Sequence, residues 1–322
     1  MAVHVIHRVL RAVLALVLIG VLTFVLFTVL PDADPARLRA GLGASPAVLA
    51  HISAQLGVHH SLWVQFTDYM KGIFLHLNLG YSYRSGRSVL SLIVARLPAT
   101  LSLAGGAAVL WLVLGLPLGV LATRRRGRLI DRAALGTAFA LGSTPVFWLG
   151  LIALYLFASD IGRFPILPGA NSYVPLTVDP GKWFSSLILP WLVLASCQGA
   201  LYFRLVRDEL LGVSDAGYIR TARAKGLTER RVISHYLLRP VLARVIARSG
   251  SLLGGLLGAV VVTETVFKIH GVGLLAYEAV RQSDFPVVQG TVVLAAMFVV
   301  AVNLVLDLAH VRPMGDPEAI AA

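Results

Sequence analysis

Long apolar stretches without charge recur along this chain, and they constrain its fold more than any other feature. A helix needs about 20 consecutive apolar residues to cross a bilayer, and several stretches reach that length. Of the 322 residues, 57% are hydrophobic and only 14% are charged, whereas a soluble domain carries about 25% charged residues. The sequence therefore predicts an all-α integral membrane protein.

Six stretches are predicted to span the membrane. The first is followed by Pro31-Asp32 without a cleavage motif, so we expect it to be retained as a helix rather than removed as a signal peptide. Secondary transporters typically show ten or more spans or internal repeats, and neither is evident here. The chain is predicted to form one membrane domain, residues 1–322. Its predicted spans are 12–30, 99–122, 133–158, 187–203, 249–267 and 290–309.

The distribution of basic residues predicts the orientation of these spans. With a cytoplasmic N-terminus, the inner segments hold 18 of the 28 Lys and Arg residues and the outer loops hold 10. Cytoplasmic loops are enriched in Lys and Arg, and the arginine-rich run 124–128 is the strongest local signal. Both termini are therefore predicted to be cytoplasmic. The net charge of +12 indicates topology rather than nucleic-acid binding.

Two hydrophilic segments are long enough to have structure of their own. The outer segment 31–98 contains a helix-like stretch after Ser45-Pro46 and a second amphipathic helix over about 63–74. The inner segment 204–248 lies between spans four and five and is strongly basic. These segments are predicted to be an extracytoplasmic loop with short helices and a cytoplasmic loop, respectively.

Within the inner segment, residues 215–232 are predicted to form two short helices. Gly226 permits the left-handed conformation that ends the first helix. Ser214 and Thr228 are the predicted N-terminal caps of the two helices, and Glu229 lies in the first turn of the second. From composition alone, a solvated loop that holds lipid headgroups is an equally good interpretation.

The core of this segment, Tyr218 to Leu227, reads Tyr-Ile-Arg-Thr-Ala-Arg-Ala-Lys-Gly-Leu. It resembles, without a gap, the EAA loop of ABC importer permeases of the dipeptide, oligopeptide and nickel type. Two flanks differ: Ala216-Gly217 separate Asp215 from Tyr218, and 239–243 replaces the usual Asn-Ala-Leu-Ile-Pro. Further stretches resemble the same family, namely 56–59, 77–82, 96–101, 264–273 and 284–290, while the tail 315–318 is atypical.

The resemblance implies the type I permease fold, with a cytoplasmic coupling helix between spans four and five that contacts an ATPase. It implies that Ile219 and Leu227 fill a groove on the ATPase and that Ala222 and Gly226 allow close approach. The residues assigned to this contact are Tyr218, Ile219, Arg220, Thr221, Ala222, Lys225, Gly226 and Leu227.

The chain carries no G-x4-GK(S/T) motif for nucleotide phosphates, so it is predicted not to be an enzyme. The resemblance implies that ATP and Mg²⁺ bind to two partner ATPase subunits or domains. It also implies a second, related permease that completes a heterodimer, and an extracytoplasmic substrate-binding lipoprotein. The expected location is the bacterial plasma membrane, with no cofactor bound by this chain.

Acidic residues within spans are costly in lipid and are candidates for function. Glu264 is one, and a structural hydrogen bond to a helix end is the alternative interpretation. The resemblance adds Phe267 and Asp284 as candidates for the translocation path or an inter-subunit contact, whereas Asp307 is expected to pair with a cytoplasmic arginine. We predict no metal site at His59-His60, because the pair lacks converging ligands, and no catalytic residue.

Short peptides are the substrates that the resemblance favours. Nickel complexes and glutathione-like solutes are carried by similar permeases and remain alternatives. An intramembrane enzyme would need a paired nucleophile and base, or a metal motif, inside the spans, and Ser143-Thr144-Pro145 has no histidine or lysine nearby in the sequence.

Overall fold

The structure is a computed structural model that describes residues 2–29, 35–40, 45–56 and 60–309. Three predicted features fall outside these residues or their described side chains. They are the part of the 56–59 motif that includes His59, the side chain of Asp307 and the tail 315–318.

Helices account for nearly all regular structure in the described ranges. Two π-helical segments are present: Val25–Val29 continues the first α-helix, and Val232–Leu237 leads into the eleventh. In chain order the α-helices are α1 (Ala2–Phe24), α2 (Pro35–Ala40), α3 (Pro46–Leu56), α4 (Leu62–His76), α5 (Val89–Arg124), α6 (Leu129–Ser143), α7 (Val146–Phe157), α8 (Pro180–Ser214), α9 (Gly217–Ala224), α10 (Glu229–Arg231), α11 (Leu238–Phe267), α12 (Val272–Arg281) and α13 (Phe285–Ala309).

The described residues of the predicted spans lie on these helices apart from a break in the third span, which confirms an all-α membrane protein. Among the described residues, four helical segments are long and apolar enough to cross a bilayer, and the number rises to six if two broken helix pairs each form one span. The helices predicted in the outer segment are also present, as α3 and α4. The four segments are Ile6–Val29, Val89–Arg124, Pro180–Ser214 and Phe285–Val305.

The third span, predicted to be continuous over 133–158, is broken. Helices α6 and α7 meet at an angle of 103°, and Thr144 and Pro145 between them have extended backbones. Proline lacks an N–H group and disfavours the α conformation of the preceding residue, so a sharp bend at this dipeptide has a local cause.

Helices α5 and α8 are longer than the predicted spans that they contain. At 1.5 Å per residue, the 36 residues of α5 extend over about 54 Å, well beyond the roughly 30 Å of a bilayer core. The 35 residues of α8 carry this helix through Ser214, to within two residues of α9. The fourth predicted span and the segment that leads to the predicted coupling helix are therefore parts of one continuous helix.

The chain packs as two compact units, which comprise the described parts of 1–100 with 270–301 and of 101–269 with 302–322. In the first unit, the hydroxyls of Thr23 in α1 and Tyr69 in α4 are 2.8 Å apart. Its buried core joins the start of α5 to α12 and α13 and consists of Val89, Ile93, Leu275, Ala279, Val287 and Val288.

In the second unit, glycines of α5 let α8 approach closely. A Cβ atom at Gly106 would lie 2.1 Å from the Trp191 ring, and one at Gly119 would lie 2.6 Å from Val206. The indole N–H of Trp191 donates to the carbonyl of Ser102 at 3.0 Å. Three helices, α5, α6 and α8, meet in a buried cluster of three alanines and one phenylalanine: Ala122, Ala138, Ala200 and Phe203. The alanines leave little space between the helices.

Candidate coupling site

The predicted coupling helix is present as α9, Gly217–Ala224, and only Asp215 and Ala216 separate it from α8. Ala216 occupies the N-cap position with an extended backbone and makes no side-chain cap. The predicted cap by Ser214 is wrong, because α8 continues through this residue and its hydroxyl donates to the Leu211 carbonyl at 2.9 Å. A connection of two residues leaves little freedom between α8 and α9.

Helix α9 has a buried face and an exposed face. Ile219 is 0% exposed and Ala222 is 4% exposed, so both side chains pack against the permease itself. This differs from the expectation that Ile219 fills a groove on an ATPase, because a side chain without exposed surface has none to offer a partner. The i, i+3 spacing of these two apolar residues is the sequence signal for an inward face.

The other assigned residues of α9 and its turn are accessible in the isolated chain. Tyr218 is 48% exposed, and Leu227 is partly buried at the edge of the surface. We call the accessible set the outer face of α9. The exposed members are Tyr218, Arg220, Thr221, Lys225 and Gly226.

The turn after α9 has the geometry that the sequence predicts. Gly226 has a positive φ of 76°, a conformation that costs glycine little and other residues more. Its N–H donates to the Arg223 carbonyl at 2.9 Å, and the Leu227 N–H donates to the Ala222 carbonyl at 3.3 Å. A Cβ atom at Gly226 would meet nothing within 4 Å, so the space beside this residue is open in the isolated chain.

An ion pair closes the α9–α10 turn. Arg223 donates to the Glu229 carboxylate at 2.9 Å, and both side chains are about half exposed. Glu229 lies in the first turn of α10, as predicted. Thr228 occupies the predicted N-cap position, but its side chain makes no cap hydrogen bond. An exposed pair stabilises a fold by only about 0–1 kcal/mol, so this contact orients the turn more than it stabilises the protein.

Behind α9 lies a cavity of about 250 Å³. Its walls come from the ends of α5 and α8, from α9 and α10, and from the π-helical segment 232–237. From α9 the lining includes the half-exposed Arg223 but neither Ile219 nor Ala222, so the cavity does not interrupt the packing of the buried face. The cavity is lined by Val120, Thr123, Arg124, Leu210, Ser214, Arg223, Glu229, Ile233 and Leu237.

The path and inter-subunit candidates are all buried in the isolated chain. Glu264 is 0% exposed in α11, and Phe267 is 2% exposed at the end of the same helix. Asp284 is 4% exposed, and its carboxylate accepts hydrogen bonds from the Ser82 hydroxyl and the Tyr83 backbone N–H. The structure thus gives Asp284 a local partner, while the roles of the three residues in transport stay predictions.

Two ion pairs with a buried acidic side chain lie near α9, and the sequence did not predict them. Glu209, 8% exposed at its side chain, accepts from Arg244 at 3.3 Å, and Arg207 binds Asp131 at 2.8 Å. The basic partners were interpreted only as topology signals. The residues around Glu209 and Asp131 in the sequence do not show that these two side chains are buried, because the arginine that pairs with each lies far away along the chain.

Comparison with known proteins agrees with this geometry. The family described as "Binding-protein-dependent transport system inner membrane component" matches residues 115–312. The N-terminal family of such membrane components matches residues 1–104. Together the two matches include the coupling helix and most of the described helices, with residues 105–114 of α5 between them.

Several relatives cover almost the whole chain. A putative peptide transport system permease protein of Brucella abortus (strain 2308) is 37% identical over 313 residues, which is 97% of each chain. The dipeptide transport system permease protein DppB of Escherichia coli (strain K12) is 35% identical over 312 residues, 91% of each chain. A probable peptide ABC transporter permease protein of Sinorhizobium fredii is 34% identical over 311 residues.

Members of this family are the membrane components of ABC transport systems that work with ATPases and binding proteins, and hydrolysis of ATP belongs to the ATPases. The helical architecture, the coupling helix with its glycine turn, and the matches along the chain lead to one assignment. The chain belongs to the family of inner membrane components of binding-protein-dependent transport systems and is the permease subunit of an ABC importer.

Proposed function

We propose that this chain forms half of the translocation path for short peptides in a bacterial plasma membrane, with both termini in the cytoplasm. The printed names of the relatives, which refer to peptide or dipeptide transport, support the substrate. The excess of basic residues in the inner segments supports the orientation. Nickel complexes and glutathione-like solutes are the substrates to be excluded by experiment.

One observation carries the proposed mechanism: the outer face of α9 is accessible, while its inner face is buried on the permease. Tyr218 and Lys225 lie on the accessible side, whereas Ile219 is 0% exposed. A short helix seated in this way transmits a displacement as a rigid body, while a flexible loop would absorb it. Closure of the partner ATPases is therefore converted into movement of the membrane helices.

The rest of the transporter is inferred from what this chain supplies and lacks. One coupling helix per chain implies two permease subunits for two ATPases, and we propose that the second permease is a different, related protein. ATP and Mg²⁺ bind at the ATPases. An extracytoplasmic lipoprotein selects the peptide and delivers it to the path.

The test is reconstitution of the complete transporter with variants of Gly226. Gly226→Ala and Gly226→Trp share the cost of a positive φ, but only the tryptophan adds bulk on the accessible side, where the chain itself has space. We expect Gly226→Trp to abolish peptide uptake and to uncouple ATP hydrolysis, while Gly226→Ala keeps measurable uptake. Normal transport by Gly226→Trp would sink the coupling assignment.

The substrate is tested in the same preparation. Uptake of a labelled dipeptide is measured in competition with unlabelled dipeptide, a nickel chelate and glutathione. We expect competition by the dipeptide alone. Competition by only the chelate or only glutathione would leave the importer assignment intact and would replace the peptide substrate.

A further inference from the structure

A buried ion pair joins α6 to α8 close to the coupling helix. The Nε atom of Arg207 donates to one carboxylate oxygen of Asp131 at 2.8 Å, and its Nη2 atom donates to the other at 3.0 Å. The exposed fractions of the two side chains are 3% for Asp131 and 13% for Arg207. A two-point contact between a guanidinium and a carboxylate fixes orientation as well as distance.

The same carboxylate also holds the turn between α5 and α6. The backbone N–H of Gly127 donates to Asp131 at 2.8 Å, and Gly127 has a positive φ of 75°. The turn itself carries three arginines, and one of them, Arg126, lies 3.7 Å from Asp215 in the link to α9. Asp131 thus connects three elements: the α5–α6 turn, α6 and α8.

Helix α8 connects α9 to the packed helices of the second unit. It packs along α5 through the close approaches at Gly106, Gly115 and Gly119. It then runs through Arg207 to Ser214, two residues before α9 begins.

The opposite side of α9 is built differently. There α10 leads into the π-helical segment 232–237, and residues of this segment line the cavity of about 250 Å³ together with the ends of α5 and α8. A π-helical segment is an irregular stretch of helix that is frequent at functional sites. Helix α9 contacts this segment, whose Val232 and Leu237 side chains are buried, and it is joined to α8 by two residues. A push on α9 therefore reaches the bundle by both routes, and the route through α8 is the one that the ion pair of Asp131 and Arg207 joins to α6.

We propose that Asp131 and Arg207 are positioning residues for energy coupling: their ion pair makes α6 and the α5–α6 turn move together with α8 when the ATPases displace α9. This inference rests on the proposed function of α9 as the coupling helix. The two residues touch neither the ATPases nor the substrate and act through α8. Without the pair, α8 moves while α6 lags behind, and ATP is hydrolysed without the matching movement of the path.

Stability alone is a weak reason for such a pair. Desolvation of two charges offsets much of their attraction, and well-packed hydrophobic residues are often as stabilising in the same place. The ion pair fixes the relative orientation of α6 and α8, which apolar packing does not do. A role in orientation predicts a loss of coupling that is separate from a loss of folding.

The experiment compares Asp131→Asn with Asp208→Asn in the complete transporter. Asp208 makes a matched control, because its carboxylate also lies near Arg207, at 3.6 Å, but its side chain is 68% exposed. The measured quantity is dipeptide uptake per ATP hydrolysed in proteoliposomes. We expect this ratio to fall about tenfold in Asp131→Asn and to stay unchanged in Asp208→Asn.

A second measurement does not depend on the substrate. Spin labels are placed at positions 128 and 220, on the α5–α6 turn and on α9, in a Cys197→Ser background. In the otherwise unaltered protein we expect the distance between the labels to be the same with and without ATP. In Asp131→Asn and in Arg207→Gln we expect it to change when ATP binds, and Arg207→Lys, which keeps the charge but loses the two-point contact, should give an intermediate change.

Two results would overturn the inference. One is an unchanged coupling ratio and an unchanged label distance in Asp131→Asn and Arg207→Gln. The other is a parallel loss of uptake and ATP hydrolysis together with dissociation of the complex, which indicates a structural role only. Gly226→Trp is measured alongside: if it uncouples and Asp131→Asn does not, this inference alone fails, and if neither uncouples, the proposed function of α9 fails.

Discussion

The hydroxyl of Ser82 donates a hydrogen bond of 2.5 Å to the carboxylate of Asp284, 202 residues further along the chain. The second carboxylate oxygen accepts from the Tyr83 N–H at 2.9 Å, and the Arg84 guanidinium donates to the Gln282 carbonyl at 3.2 Å. The buried carboxylate thereby fixes the loop that begins at Tyr81 to the segment between α12 and α13.

Loss of this clamp should reduce stability before it affects transport. Ser82→Ala leaves the Asp284 carboxylate with one donor fewer in a buried place, which costs about 1–3 kcal/mol. We expect a lower midpoint of thermal denaturation in detergent for Ser82→Ala and for Asp284→Asn.

The control for this prediction is Ser91→Ala, since the exposed Ser91 hydroxyl donates only to the Ser88 carbonyl in the first turn of α5. We expect its denaturation midpoint to match that of the unaltered chain. If Asp284→Asn lowers uptake at unchanged stability, Asp284 acts in the path and not mainly as a clamp.

The neighbouring phenol provides a prediction about pH. Burial, and after it the charge of Asp284, raises the pKa of Tyr83 to about 12, compared with about 10 for an unfolded tyrosine. The protonated phenol therefore favours the folded state fully below pH 10, and this contribution is lost as the pH rises toward 12.

The measurement is phenolate absorbance between about pH 9 and 11, where an unfolded tyrosine titrates. We expect folded Tyr83→Phe and the unaltered protein to show the same absorbance change. After denaturation, the absorbance change of Tyr83→Phe should be smaller than that of the unaltered protein by the contribution of one tyrosine. If the folded Tyr83→Phe protein also shows an absorbance change smaller by one tyrosine, Tyr83 is not shielded in the folded state.

Adjacent glycines in α5 test the close packing of α5 on α8. A Cβ atom at Gly106 collides with the Trp191 ring, whereas one at Gly105 meets nothing within 4 Å. We expect Gly106→Ala to lower stability by about 1–3 kcal/mol, because the ring must move and its hydrogen bond to Ser102 is lost. Gly105→Ala should leave stability unchanged or raise it by up to about 1 kcal/mol. Equal denaturation midpoints for the two variants would contradict the packing described for this pair.

The spans were predictable from the sequence because the requirement behind them is local. A backbone in lipid must satisfy its own hydrogen bonds, so an apolar stretch of sufficient length forms a helix. The turn at Gly226 was predictable for a similar reason, since its left-handed conformation is a property of one residue. The apolar pattern did not predict the break at Thr144, although Pro145 is a local signal for it.

Long-range contacts were not predictable in the same way. Asp131 and Arg207 are 76 residues apart, and nothing near either residue in the sequence indicates the other as its partner. The burial of Ile219 depends on which side of α9 faces the permease, and the family resemblance assigned the whole segment to the partner. The contacts in the structure divide that segment into a buried face and an accessible face. The sequence motif does not distinguish the two.

The most direct test of the account is site-specific photo-crosslinking in the assembled transporter during ATP turnover. A photo-crosslinking amino acid is placed at position 218, on the outer face of α9, and in a matched variant at position 219, on its buried face. We predict a crosslink to an ATPase subunit from position 218 and crosslinks only within the permease from position 219. Absence of an ATPase crosslink from position 218, with the transporter intact and active, would contradict the assignment of α9 as the coupling helix.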